Sequence, residues 1–160
     1  MHLVLDADAL IKLNFGAVLD RVVATFPCVV PQAVYAEVVI EGMARDYPDA
    51  KAIGDVLASG AGIAPDVRER RYDPTLGAGE LAILNPLPTM EDATVVSDDR
   101  QFCGHLTRER IPFLSPVNLV VVLAKEGVLT GEEANQALDR LRPATRDSAY
   151  WQARNDIDSQ

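Results

Sequence analysis

A short apolar segment that ends in two adjacent acids is the feature that most constrains this chain. Ala93–Val96 (ATVV) is small or β-branched and carries no charge, which predicts a buried β-strand. Asp98 and Asp99 follow where the strand should end, and a helix-like run begins at Arg100. Ligands of parallel α/β sheets bind beyond the carboxyl ends of the strands, and two neighbouring carboxylates repel each other unless a positive group joins them. A divalent metal is the simplest candidate, because hard cations bind carboxylate oxygens.

Strands and helices alternate along the rest of the chain. Strands are predicted at His2–Leu5, 27–30, 63–65, Ala93–Val96 and 111–114, and helices at 9–24, 32–43, 48–59, 81–85, 100–108, 116–126 and 130–141. This alternation predicts an α/β fold with three layers (α/β/α), right-handed crossovers and a central, mainly parallel five-stranded sheet. Pro65 suits an edge strand. We expect one domain over residues 1–142 and a polar C-terminal tail over 143–160.

The composition limits the classes of protein that this chain can represent. Its 160 residues are 48% apolar, which fits one globular domain, and its net charge of −9 argues against unspecific nucleic-acid binding through the overall field. A local basic rim or a bound metal could still reverse the potential where a substrate binds. We expect no signal peptide and no membrane helix. Cys28 and Cys103 form no metal or disulfide pattern, and a cytoplasmic location fits.

Further acids are placed where they could join the first two. Asp6 ends the first predicted strand, and Glu37 and Glu80 lie early in helices that enter from the same edge of the sheet. Each acid alone has another explanation. Asp6 and Asp99 could cap helices, Glu80 could interact with a helix dipole, and Glu37 could lie on a solvated face.

Convergence on a metal explains all of these acids together. Glu37 lies in the apolar run VYAEVVI, so its helix is predicted to be largely buried and Glu37 to need a partner. No basic residue between Arg21 and Arg45 can provide one locally. Oxygen ligands without a His or Cys cluster favour Mg²⁺ or Mn²⁺ over zinc.

The order and spacing of these acids resemble the PIN domain family. The family pattern has an acid after the first strand (here LVLDADALIKL), a glutamate in the second helix (VVPQAVYAEVV), an acid in a mid-chain helix (LGAGELAIL), and Ser/Thr-x-Asp-x-x-Phe after the fourth strand (SDDRQF). The likeness covers about residues 3–125. It implies a PIN-like fold with a catalytic, metal-binding acid set formed by Asp6, Glu37, Glu80 and Asp99, with Asp98 as their neighbour.

The resemblance also implies an activity and partners. A protein similar to VapC-type toxins would be an endoribonuclease that uses one or two Mg²⁺ or Mn²⁺ ions. Its partners would be an RNA substrate and an antitoxin that places a basic segment in the acidic pocket. Apart from the resemblance, the apolar helices around residues 117–123 and 10–23 could supply a homodimer face. Two positions depart from the pattern: Asp8 stands where the family often has Ser, Thr or Asn, and Glu80 where many relatives have Asp. Asp8 either adds a sixth carboxylate or caps a helix.

Candidate substrate contacts are fewer. Arg100 lies directly beside the acids, Ser97 could hydrogen-bond a ligand carboxylate, and Lys12 could face the site from the first helix. Three loop arginines could bind phosphate or simply be solvated: Arg68, Arg70 and Arg71.

Two other functions stay open at this point. One is a PIN-like binding protein without nuclease activity. The other is a small metal-dependent phosphatase, for which Asp6-Ala7-Asp8 would supply the nucleophile. Such an enzyme usually also has a lysine near the later acids, and this chain has no lysine between Lys51 and Lys125.

Overall fold

A five-stranded sheet forms the centre of the computed structural model, which describes residues 1–65 and 73–159. The strands are β1 (His2–Leu5), β2 (Cys28–Pro31), β3 (Ala61–Ala64), β4 (Ala93–Val96) and β5 (Phe113–Leu114). Their order is β3-β2-β1-β4-β5, and every pair is parallel. The prediction of a mainly parallel five-stranded sheet is confirmed, and β3 lies at an edge as Pro65 indicated.

Helices flank this sheet, which confirms the α/β class. They are α1 (Ala7–Phe15), α2 (Leu19–Thr25), α3 (Gln32–Tyr35), α4 (Gly42–Ala44), α5 (Pro48–Gly60), α6 (Ala78–Leu84), α7 (Arg100–Arg108), α8 (Pro116–Lys125), α9 (Gly131–Leu141) and α10 (Asp147–Asp158). A π-helical segment, Ala36–Glu41, joins α3 to α4. Two short 3-10 helices cover Leu87–Thr89 and Arg142–Ala144.

The two central strands decide where a ligand can bind. β1 and β4 are paired with Leu5 opposite Val96, so Asp6 and Ser97 leave the sheet side by side. The chain adds β2 and β3 on one side of β1 and then returns to build β4 and β5 on the other side. Parallel sheets bind ligands at such a reversal, beyond the carboxyl ends of the strands.

The single helix predicted over residues 9–24 is wrong, because the chain forms α1 and α2 there. Gly16 ends α1, and Ala17 adopts a positive φ of 57°, which a continuous helix does not allow. A Cβ at Gly16 would lie 3.3 Å from Cγ of Leu141 in α9, so glycine permits this close approach. The chain therefore turns at Gly16 and Ala17, where glycine lets the turn pack closely against α9.

Residues 143–160 differ from the expected polar tail, since α10 packs against α8 and α9. Tyr150 is only 2% exposed, and its hydroxyl donates to Oδ1 of Asp139 at 2.6 Å and accepts from Nη1 of Arg154 at 2.9 Å. Trp151 remains half exposed. Few apolar residues mark this helix in the sequence, and its burial depends on α8, whose own apolar residues are covered within the chain. The domain boundary at residue 142 stays a prediction.

Within residues 1–65 and 73–159, no helix has both the length and the apolar content needed to cross a membrane.

Candidate functional site

A cavity of about 220 Å³ opens at the carboxyl edge of the sheet. The residues that line it are Asp6, Ala7, Asp8, Val34, Glu37, Gly79, Glu80, Ile83, Asp99 and Phe102. The structure thus brings together four predicted acids from four separate segments, namely Asp6, Glu37, Glu80 and Asp99. Asp8 is a fifth acid at the same cavity. The buried apolar side chains of Val34, Ile83 and Phe102 form part of the lining and provide no positive charge to the carboxylates.

Asp6 and Asp99 enter the cavity through the same local geometry. Oδ1 of Asp6 accepts the N–H of Ala9 at 2.7 Å and caps α1, while Oδ1 of Asp99 accepts the N–H of Phe102 at 2.7 Å and caps α7. The alternative explanation of both residues as helix caps is therefore observed. It does not compete with a role in the cavity, because a carboxylate has two oxygens and capping uses one of them.

The two glutamates differ in how firmly they are held. Glu80 lies in the first turn of α6, where its Oε2 accepts the N–H of Gly77 at 2.6 Å. Glu37 is exposed at the cavity, while the next two residues of its π-helical segment, Val38 and Val39, are buried. The expectation that Glu37 lies in a largely buried helix and needs a partner is wrong, because the valines occupy the core side and leave Glu37 to solvent.

Asp6 is the electrostatically perturbed acid of the cavity. Burial raises the pKa of Asp6 to about 6, and the negative charges of Asp8 and Asp98 act in the same direction. Hydrogen bonds from the Ser97 hydroxyl and the Ala9 N–H to its carboxylate oppose this rise in pKa. Ser97 is fully buried, and its Oγ also accepts the N–H of Asp99 at 3.3 Å. The serine therefore links the two capping aspartates.

Asp98 lies apart from the cavity and pairs with Lys12. The Nζ of Lys12 donates to both oxygens of Asp98, at 2.8 and 2.9 Å, and lies 2.6 Å from Oδ2 of Asp8. Burial raises the pKa of Asp98, although the Lys12 ammonium acts against this rise. Of the predicted site acids, Asp98 is the one that the structure does not bring to the cavity.

Arg100 lies on an open groove that meets the cavity at Asp99. The groove has a volume of about 640 Å³ and is lined by Asp99, Arg100, Gln101, Gly104 and Arg108. Arg108 was not singled out in the sequence, although its spacing from Arg100 and Gly104 (i, i+4, i+8) places all three on one face of α7. The loop arginines Arg68, Arg70 and Arg71 lie outside the described residues.

The donors around the cavity suit Mg²⁺ or Mn²⁺ in chemistry, because they are carboxylate oxygens only. Across residues 1–65 and 73–159, no group of three or more His, Cys, Asp or Glu side chains is close enough together to hold a metal ion. The caps fix Asp6, Asp99 and Glu80, whereas Glu37 is exposed and can change rotamer at little cost. The chemistry of the donors therefore fits a divalent ion, whereas the side chains of the described residues do not form a closed ligand set in this arrangement.

The fold and this acidic cavity define an α/β protein of the PIN class. The chain belongs to the PIN domain family, since the family model DUF3368, described as a PIN domain, matches residues 2–151. PIN domains are generally nucleases. One similar solved structure is a PilT N-terminus domain protein from the hyperthermophilic archaeon Sulfolobus solfataricus P2, with 9% identity, a TM-score of 0.49, and coverage of 74% of this chain and 90% of that chain. The comparison with curated proteins gives no match.

Proposed function

We propose that the chain is a divalent-metal-dependent endoribonuclease, and that it is the toxin of a toxin–antitoxin pair. The observation that supports a nuclease is the meeting of Asp6, Glu37, Glu80 and Asp99 around one cavity at the ligand-binding edge of the sheet. These acids come from four segments that are far apart in the sequence. The family to which the chain belongs, whose members are generally nucleases, supports the same activity.

The four cavity acids would hold Mg²⁺ or Mn²⁺ through their carboxylate oxygens. When bound, such an ion activates water for attack on a phosphodiester and neutralises charge on the phosphate. The caps at Ala9 and Phe102 keep Asp6 and Asp99 in position for this role. Asp6 binds a cation only when ionised, so protons compete with the ion as the pH falls below about 6.

The groove along α7 would bind the RNA next to the reacting phosphate. The net charge of −9 repels a polyanion, so a local cationic surface must compensate. Arg100 and Arg108 lie on the groove that meets the cavity at Asp99. Guanidinium groups pair well with phosphate oxygens, and a cavity of about 220 Å³ is too small for a duplex, which favours a single-stranded substrate.

Cleavage of a labelled single-stranded RNA tests the proposal. Purified protein should cleave with Mg²⁺ or Mn²⁺ and not with EDTA. Asp99→Asn keeps the cap, because asparagine also accepts the Phe102 N–H, and should slow cleavage at least about 100-fold. The matched control is Asp20→Asn, which changes an exposed acid on α2 and should cleave like the parent. Equal rates for Asp99→Asn and the parent would contradict the assignment.

Parallel reactions separate the other functions. Single-stranded DNA and a phosphomonoester should be poor substrates compared with RNA, and preferred turnover of the phosphomonoester would favour a phosphatase. No turnover of any substrate with either metal would favour a binding protein. The toxin role has its own readout, because expression of the parent should arrest bacterial growth and Asp99→Asn should not. Cleavage without growth arrest would support the nuclease activity and contradict the toxin role.

The partners follow from the charge of the cavity. An antitoxin segment with a Lys or Arg side chain would complement the acids, and such a segment should compete with Mn²⁺ for the parent protein. A homodimer stays a prediction, which sedimentation of the purified chain would test.

A further inference from the structure

The acids that end β1 and β4 divide into two sets. Asp6 and Asp99 line the cavity, whereas Asp8 and Asp98 are joined by the ammonium of Lys12. Each strand end thus supplies one acid to each set. Asp8 lies at the border, since it lines the cavity and also contacts Lys12.

Lys12 has no donor left for a substrate. A lysine ammonium has three N–H donors, and its three carboxylate contacts lie at 2.6, 2.8 and 2.9 Å. Its side chain is only 16% exposed and that of Asp98 only 22%, so the Lys12–Asp98 contact is shielded from water and salt, whereas the side chain of Asp8 is 55% exposed. A phosphate could bind Lys12 only by displacing a carboxylate. The interpretation of Lys12 as a substrate contact stays a prediction. Its three carboxylate contacts favour a role in holding Asp8 and Asp98.

We propose that Lys12 is a positioning residue whose ammonium occupies the place of a second cation, so that the site binds one divalent ion per chain. Three carboxylate oxygens of Asp8 and Asp98 lie within 2.9 Å of the Lys12 Nζ, so the ammonium stands where a cation held by the same two carboxylates would lie. The fixed positive charge keeps Asp8 and Asp98 together without an ion. The remaining acids of the cavity are then left to hold the single ion. This inference rests on the proposed metal-dependent function.

Counting bound Mn²⁺ by calorimetry and by the electron paramagnetic resonance signal of free Mn²⁺ tests the inference. The parent should bind one ion. Lys12→Ala opens the space between the two carboxylates and should bind two, while Lys12→Arg keeps the charge and should bind one. Adding Asp98→Asn to Lys12→Ala should return the count to one. The matched control is Lys51→Ala, which removes an exposed lysine from an i,i+4 contact with Asp55 at 2.7 Å and should leave the count at one.

A second readout is the Tm in EDTA. Lys12→Ala should melt below the parent, because Asp8 and Asp98 then repel each other, and saturating Mn²⁺ should raise its Tm by more than it raises that of the parent. Two ions in the parent, or one ion in folded Lys12→Ala, would overturn the inference. If Lys12→Ala does not fold, a count of two in the parent or in Lys12→Arg would still overturn the inference. A parent that binds one ion but cleaves no RNA would refute the proposed nuclease function and leave the role of Lys12 standing.

Discussion

Replacing Asp6 by asparagine should stabilise the metal-free protein at neutral pH while abolishing cleavage. Burial of the carboxylate raises the pKa of Asp6 to about 6 from the ordinary value of 3.8. At 1.36 kcal/mol per pKa unit, this difference means that the ionised group costs about 3 kcal/mol of folding free energy at pH 7. Asparagine has nearly the same shape and still accepts the Ala9 N–H, so the cap is retained.

The pH dependence of the free energy of unfolding tests this explanation. Between pH 3.8 and about 6 the folded chain keeps the Asp6 proton that the unfolded chain releases, so the stability of the parent falls as the pH rises through this window. Asp6→Asn lacks this fall. The two proteins should be similarly stable at pH 4, and the variant should gain up to about 3 kcal/mol by pH 7. For a chain of this size, that gain corresponds to a rise in Tm of about 6–12 °C.

Urea unfolding in EDTA at pH 4, 5, 6, 7 and 8 would measure the difference. Asp99→Asn is the matched control, because it changes the equivalent cap of α7 at an exposed position, and its stability should stay within about 0.5 kcal/mol of the parent throughout. A gain for Asp6→Asn that is absent at pH 8, or equally large at pH 4 and pH 8, would refute the burial argument. Loss of cleavage in the stabilised variant would show that Asp6 acts in function and not in folding.

Two further predictions concern α10 and the groove. Tyr150→Phe removes two hydrogen bonds, but their partners Asp139 and Arg154 reach solvent and still pair with each other at 2.7 Å, so it should lower the free energy of unfolding by no more than about 1 kcal/mol. Tyr150→Ala also empties a buried space and should lower it by about 3–5 kcal/mol. Arg108→Ala should weaken RNA binding to the Asp99→Asn protein and reduce the slope of log K against log salt by about one phosphate contact. Arg21→Ala, which removes a guanidinium that lies 3.8 Å from Glu133, should leave the salt slope unchanged.

The sequence predicted most of the sheet, because a short apolar segment that forms a buried strand can be recognised from neighbouring residues alone. β1 and β4 have the predicted bounds, and α9 covers nearly the predicted range 130–141, starting at a capping box formed by Thr130 and Glu133. The helix break at Gly16 was missed because the apolar pattern of a helix continues past it, and the close packing of Gly16 against Leu141 is visible only in the fold. The same holds for α10, whose few apolar residues are buried by α8 and α9.

The sequence likewise predicts one part of the candidate site and not the other. It predicts the types and order of the acids and their position at the ends of strands and the starts of helices. It does not predict which carboxylate faces the cavity, because neighbouring side chains at a strand end point in different directions. Asp98 and Asp99 are adjacent in the chain, yet Lys12 pairs with the first and the cavity receives the second. The packing of α1 against the end of β4 decides this, because it places the Lys12 ammonium beside Asp98 and leaves Asp99 to the cavity.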